Sequence, residues 1–209
     1  MAKTLTTPAG IASYPWITEP DTRYNPDGHY SVNLVVPEEQ AQPLVNAINN
    51  EWTEFIGQFK GPKAKKQPAS LGYDNQYDDE GNETGNIVFK AKMKHIIRYK
   101  DKETGEDKII EKKLPIFDAE GLAIHPTSVW GGSKLACNIT IKGYEAGANL
   151  GVSLYLNAVQ IIELVAGGSN TSNQEVSAET FGFAPTTGYV APKVTPKATV
   201  AEEADEYDF

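Results

Sequence analysis

The sequence predicts a mainly β fold: an antiparallel barrel of five or six strands, one capping α-helix, and an acidic C-terminal tail expected to be disordered. Three observations carry this. Several stretches alternate apolar and polar residues with the period of two that a half-buried strand requires. One stretch alone has helical periodicity. Residues 166–201 are rich in Gly, Ser, Thr, Ala and Pro and show no periodicity, the composition of a flexible tether. Antiparallel strands with a single helix suit a small closed or partly open barrel, which hides strand edges.

The elements follow in order. A short strand is expected over 11–18. Over 30–36, Tyr30, Val32, Leu34 and Val36 share one face and Ser31 and Asn33 the other, and Pro37 ends the strand. Between residues 38 and 59 the apolar residues Leu44, Ile48, Trp52, Phe55 and Phe59 recur at helical spacing, with acids near the start where the helix dipole favours them. This helix is expected to cap the barrel. Lys60, Lys63, Lys65 and Lys66 lie in a Pro- and Gly-containing stretch that reads as a loop, either merely solvated or touching phosphate. Residues 86–100 read as one long strand, with Ile87, Phe89, Ala91 and Met93 inside and Lys90, Lys92, Lys94, Arg98 and Lys100 outside. A hairpin loop over 101–107 then leads to a returning strand over 108–117 carrying Lys112 and Lys113. Residues 131–134 form a turn into a strand whose inner residues are Leu135, Cys137, Ile139 and Ile141. The last strand, 152–164, is expected to place Val152, Leu154, Leu156 and Ala158 inside and Tyr155 outside.

At 209 residues and 40% hydrophobic content, the chain can build one ordinary core plus non-globular extras. The boundaries read as a folded domain over 1–165, a linker over 166–201 and an acidic tip over 202–209. No apolar run approaches the ~20 residues that cross a bilayer, and residues 1–10 lack a secretory stretch, so a cytoplasmic location without membrane contact is expected. The lone Cys137 sits in an alternating pattern as a small buried hydrophobe.

The net charge of −9 conceals segregation. Residues 163–209 hold eight acids against two bases, net −6, whereas residues 85–142 hold eleven bases against seven acids, net +4. The tip carries five carboxylates, Glu202, Glu203, Asp205, Glu206 and Asp208, together with Tyr207 and the terminal Phe209. Such a tip either imitates a polyanion and docks on a basic groove, or only solubilises.

No catalytic constellation emerges. His29, His95 and His125 are scattered and do not combine with Cys137 at metal-ligand spacing, and no cofactor is expected. The carboxylates Asp74, Asp78, Asp79, Glu80 and Glu83 resemble a cation loop, but Ile87 stands where the bidentate glutamate of an EF-hand belongs. A solvated loop is favoured there over a metal-dependent nuclease. The run from Gly131 to Lys134 lacks the upstream glycine of a phosphate loop.

Binding chemistry is better supplied. A sequence-tolerant grip on single-stranded nucleic acid needs cations along the phosphates and aromatic faces under unstacked bases. Lys90, Lys92, Lys94, Arg98, Lys112, Lys113, Lys134 and Lys142 offer charge; Tyr99, Trp130, Tyr144 and Tyr155 offer rings, with Tyr14, Trp16 and Tyr24 as further candidates. Each ring could instead fill the core or pack across a hairpin. The rival reading is an interaction or virion-structural β protein with a solubilising tail.

The chain resembles the replisome single-stranded-DNA-binding proteins of podovirus-type bacteriophages. The resemblance is carried in order by Met1, Ala2 and Lys3, by residues 30–37, 89–92, 100–106, 131–135 and 151–164, and by the closing Glu202, Glu203, Ala204, Asp205, Asp208 and Phe209. It implies an OB-fold barrel that binds single-stranded DNA during phage DNA replication, recombination and repair in the cytoplasm of an infected bacterium. It also implies a tail that contacts the phage DNA polymerase and helicase-primase through its terminal Phe, competes with DNA for the groove and supports a homodimer. The tip of this chain departs from the family in being shorter and less densely acidic, with Tyr207 among its acids.

Overall fold

The computed structural model describes residues 3–165 apart from Thr127, all within one compact unit. The linker over 166–201 and the tip residues Glu202, Glu203, Asp205, Glu206, Tyr207, Asp208 and Phe209 lie outside the described residues.

The elements are β1 (Lys3–Thr6), β2 (Gly10–Asp21), β3 (His29–Pro37), α1 (Glu38–Ile56), β4 (Tyr73–Tyr77), β5 (Glu83–Lys94), β6 (Ile96–Lys100), β7 (Asp107–Glu111), β8 (Ile116–Phe117), β9 (Lys134–Ala146) and β10 (Asn149–Glu163). A short 3-10 turn, Gly61–Lys65, follows α1. Strands β9, β2, β3, β5 and β10 pair in that order, and β10 pairs again with β9, so the five form a closed ring. All of these pairings are antiparallel except β5 with β10. β1 extends along β9, β4 along β5 and β8 along β10, while β6 and β7 form a separate two-stranded ribbon.

Alternation puts the core inside this ring. Tyr30, Val32, Leu34 and Val36 of β3 are all buried, as are Ile87, Phe89 and Ala91 of β5 and Leu135, Cys137, Ile139 and Ile141 of β9. Each large aliphatic or aromatic side chain so removed from water stabilises the fold by about 1.5–3 kcal/mol. Burial pushes the Cys137 thiol up to about 12, which leaves it protonated and inert. The helix closes one end of the barrel with Ala41, Leu44, Val45 and Ile48 buried against it. It stops at Ile56, short of Phe59, because the last turn tightens: Gln58 and Phe59 donate to the carbonyls of Phe55 and Ile56, three residues back. Phe55 then lies against Gly143, where an added Cβ would meet its ring carbon at 2.2 Å, so the helix approaches β9 only because that residue is glycine.

Four sequence expectations are corrected. The stretch 86–100 is not one strand: it breaks at His95, whose N–H donates to the Gly28 carbonyl (3.1 Å), and resumes as β6 in the ribbon. The returning strand over 108–117 is interrupted at residues 112–115, where Pro115 lacks a ladder donor, so Lys112 and Lys113 sit on a connection and only Ile116–Phe117 resumes pairing. In β10 the buried residue is Val159 rather than Ala158, because a bulge between Leu156 and Ala158 shifts the register. The acidic stretch near residue 78 is no plain loop: Asp74 belongs to β4 and Glu83 to β5, joined as a hairpin. β1 and β4 were not anticipated.

Candidate functional site

The ring has two thin junctions, β2 with β9 and β5 with β10, each joined by two residue pairs, and the second of them organises the site. Only Leu154 with Ala91 and Tyr155 with Lys92 pair there. On one side of this point the strands part, and the segment before β4 fills the gap. Lys90 N–H donates to the Gly72 carbonyl (2.8 Å), Val152 N–H to that of Ser70 (2.9 Å), and Ala69 N–H to that of Leu150 (2.7 Å). Gly72 adopts a φ of +77°, and a Cβ there would meet Leu154 Cγ at 2.9 Å, so only glycine permits this close insertion. On the other side, β8 pairs with β10 at Val159 and Val159 N–H donates to the Pro115 carbonyl (3.0 Å).

A groove runs along the outside of this seam as two recesses. One, of about 450 Å³, is lined by Ser70, Lys90, Lys92, Lys94, Tyr144 and Tyr155 among others. The second, of about 430 Å³, adds Lys112 and Lys113 and shares Lys92, Lys94 and Tyr155 with the first. Strand geometry explains the grouping: Lys90, Lys92 and Lys94 alternate outward from β5, and Tyr155 stands beside Lys92 on the same outer face. The Tyr155 side chain is 44% exposed, and its register neighbour on β9 is Thr140. Lys142, on the same face of β9, is opposite the groove-lining Ser153. His95 holds the far end in place, its Nδ1 lying 2.9 Å from the Lys112 carbonyl oxygen and its ring meeting Tyr30 edge-on.

Ion pairing sorts the cations. Lys90 Nζ lies 2.5 Å from the Asp74 carboxylate. Arg98 donates from Nε (3.0 Å) and Nη2 (2.8 Å) to one oxygen of Asp27. These bonds hold the Asp27 carboxyl below the usual carboxylate range. Lys134 pairs with Glu163 at 3.2 Å. Lys92, Lys94, Lys112, Lys113 and Lys142 make no ion pair among the described residues. The groove's central cations thus keep their charge available to a polyanion.

The other candidates lie apart from the groove. Arg98 and Tyr99 are on the β6–β7 ribbon, with Tyr99 opposite Lys108. Trp130 lines a different cleft of about 830 Å³ with Ile11, Tyr14, Trp16 and Val165. Tyr14 there is 80% exposed with a φ of 49°, at a bulge where the β2–β3 register shifts. Trp16 links the two regions. Its register partner Ser31 is also the partner of Lys92, so Trp16, Ser31, Lys92, Tyr155 and Thr140 form one outward row across the barrel. The Arg23 guanidinium covers the Trp16 ring at 4.6 Å and binds Asp21. Sequence reading did not anticipate Ser70 or Gly72 in the groove, since no local pattern marks a segment inserted between distant strands.

The hairpin carboxylates are occupied locally. Asp78 Oδ1 accepts the N–H groups of Glu80 (3.0 Å) and Asn82 (2.8 Å), and Glu83 accepts bonds from Asn75 and Tyr77. Among the described residues no three His, Cys, Asp or Glu side chains converge as a metal set, and no helix is long and apolar enough to cross a membrane.

Residues 9–164 match the profile of the family described as single-stranded DNA-binding protein, bacteriophage T7. The fold is similar to the crystal structure of gp2.5, a single-stranded DNA-binding protein encoded by bacteriophage T7, with 23% identity and a TM-score of 0.62, covering 92% of this chain and 100% of that one. It is also similar to the single-stranded DNA-binding protein of bacteriophage Enc34 in complex with ssDNA, with 14% identity and a TM-score of 0.57, covering 79% of this chain and 89% of that one. No curated protein sequence matches the chain. These likenesses and the five-stranded ring capped by a helix assign the fold as OB-like.

Proposed function

The chain belongs to the family of the bacteriophage T7 single-stranded DNA-binding protein, and from that premise we propose that it binds single-stranded DNA without sequence preference along the β5–β10 groove. The family is one of binding proteins, and the chain is not an enzyme. The observation that carries the reading is the continuous groove that Lys92 and Lys94, free of ion pairs among the described residues, line together with the exposed ring of Tyr155. Cations following the backbone and a ring under the bases suffice for sequence-tolerant binding, because every base has a π face. Among the described residues the α-helix, α1, contains no basic residue, so duplex reading by a recognition helix is not supported.

This activity would serve phage DNA replication and recombination inside the infected bacterium. The domain over 1–165 holds the DNA, residues 166–201 act as a linker, and the tip, Glu202 to Phe209, competes with DNA and recruits the phage DNA polymerase and helicase-primase. Charge segregation supports this division. A random coil of 36 residues has a span of about 30–35 Å. A homodimer stays part of the proposal.

An anisotropy titration with an unstructured oligonucleotide and with the duplex of the same sequence tests the reading. Single strands bound at least tenfold more tightly than duplex are expected, and removal of residues 202–209 tightens that binding at low salt. No binding to either form would leave the structural-protein reading, and unchanged or weaker binding after truncation would refute the competition.

A further inference from the structure

We propose that the path of the single strand continues beyond Tyr144 onto the basic connector after α1, where Lys60 and Lys65 hold backbone phosphates outside the groove itself. The inference rests on the function proposed above and extends the same site. The connector is fixed at both ends. Its last residues, Ser70 and Gly72, form the groove wall through the bonds to Val152 and Lys90. Its first residues, the Gly61–Lys65 turn, are clamped to the β9–β10 turn: Lys63 Nζ lies 2.6 Å from Glu145 Oε1, and Lys66 Nζ donates to the Ala148 carbonyl at 2.5 Å. Glu145 directly follows Tyr144, the ring at this end of the groove. Ser70 is five positions after Lys65, so the two Cα atoms are at most about 17 Å apart.

The four lysines divide by role. Lys63 and Lys66 are used in the clamp, and Lys63 also lies over the Phe59 ring at 5.7 Å. Lys60 and Lys65 are exposed and make no ion pair among the described residues. Holding like charges together on a fixed turn, with Glu145 the carboxylate ion-paired to them among the described residues, is unfavourable until a polyanion supplies counter-charge. A strand leaving the groove past Tyr144 and Ser70 brings that counter-charge to the lysines. Phosphate is the group this arrangement fits: two exposed ammonium point charges pair with a polyanionic backbone.

The test compares the full-length protein with its Lys60→Gln/Lys65→Gln variant on two oligonucleotides, one of about six nucleotides that fills the groove and one of about twenty that overruns it. The variant should bind the longer strand several-fold more weakly, with a salt slope flatter by about 1.4 for two lost contacts, and bind the shorter strand as the parent does. Equal affinities for the longer strand would overturn the inference, as would an equal loss on both lengths, which marks a general field effect. Failure of the parent to bind either strand would instead overturn the function on which the inference rests.

Discussion

Replacing Lys92 and Lys94 together by Ala tests the groove most directly. Both residues are exposed on β5 and unpaired among the described residues, so the change removes charge without opening the core. Five such lysines line or adjoin the groove: Lys92, Lys94, Lys112, Lys113 and Lys142. If each neutralises one phosphate, the logarithm of affinity falls against the logarithm of salt with a slope of about −3.5, or about −2.1 for the double variant. Between about 50 and 200 mM salt the parent then loses roughly 130-fold in affinity and the variant roughly 18-fold. Titration of a labelled oligo-dT by anisotropy across that range measures both. Lys134→Ala is the control, because its ammonium already pairs with Glu163 away from the groove, and its slope should match the parent's. Asp74→Asn should have the opposite effect, releasing Lys90 and steepening the slope by up to about 0.7. An unchanged slope in the double variant, or one flattened equally by Lys134→Ala, would refute the placement of the phosphate path.

Tyr155→Ala should weaken single-strand binding by about 1–3 kcal/mol if a base stacks on that ring, whereas Trp130→Ala, in the separate cleft, should leave the affinity as it was; the reverse result would move the base-binding surface to the cleft. The Asp27–Arg98 pair should stabilise the fold at neutral pH and lose its effect in acid. A folded-state pKa below the unfolded one contributes stability above the unfolded value, about 4, and loses it as pH falls through the lowered one. The thermal midpoints of the parent and Asp27→Asn should therefore differ at pH 7 and converge towards pH 3, and a constant gap would show that the pair's charge contributes nothing. Gly143→Ala should destabilise by about 1–3 kcal/mol in urea unfolding, since its methyl would enter the Phe55 ring, and an unchanged midpoint would show that the helix end yields freely.

The barrel was legible where a strand has one wet and one dry face. On β3, reading Tyr30, Val32, Leu34 and Val36 as a face is the same as reading the core, because a one-residue slip would expose all four. Legibility failed where geometry departs from that period. The bulge near Asn157 moves burial to Val159, and the break at His95 turns a long alternating run into two elements in different sheets. β1 (KTLT) and β4 (YDNQY) carry too few apolar residues to announce themselves, and exist because neighbouring strands offer free edges. The basic character of the site could be counted along the chain, but its composition could not. Lys112 joins Lys92 only through the turn back from the ribbon, Arg98 is bound by an aspartate 71 residues away, and Trp130 and Tyr155 look alike in sequence although they line different recesses.

The closure of the barrel and the building of the groove are one event. With only two residue pairs joining β5 to β10, their edges would be open to pairing with other chains, so the gaps on either side have to be filled by segments from elsewhere. The segment ending at Ser70 and Gly72 fills one gap and the segment through Pro115 and Ile116 fills the other. Each brings lysines just before its point of insertion: Lys60 and Lys65 in the first case, Lys112 and Lys113 in the second. Stitching the seam therefore places a cationic flank at each end of a channel whose centre is Lys92 beside Tyr155. Because the flanks are fixed by backbone bonds to β5 and β10, the proposed binding of a single strand would not carry the entropy cost of ordering the channel walls. A barrel closed by a full parallel ladder would have been tighter and would have had no such groove.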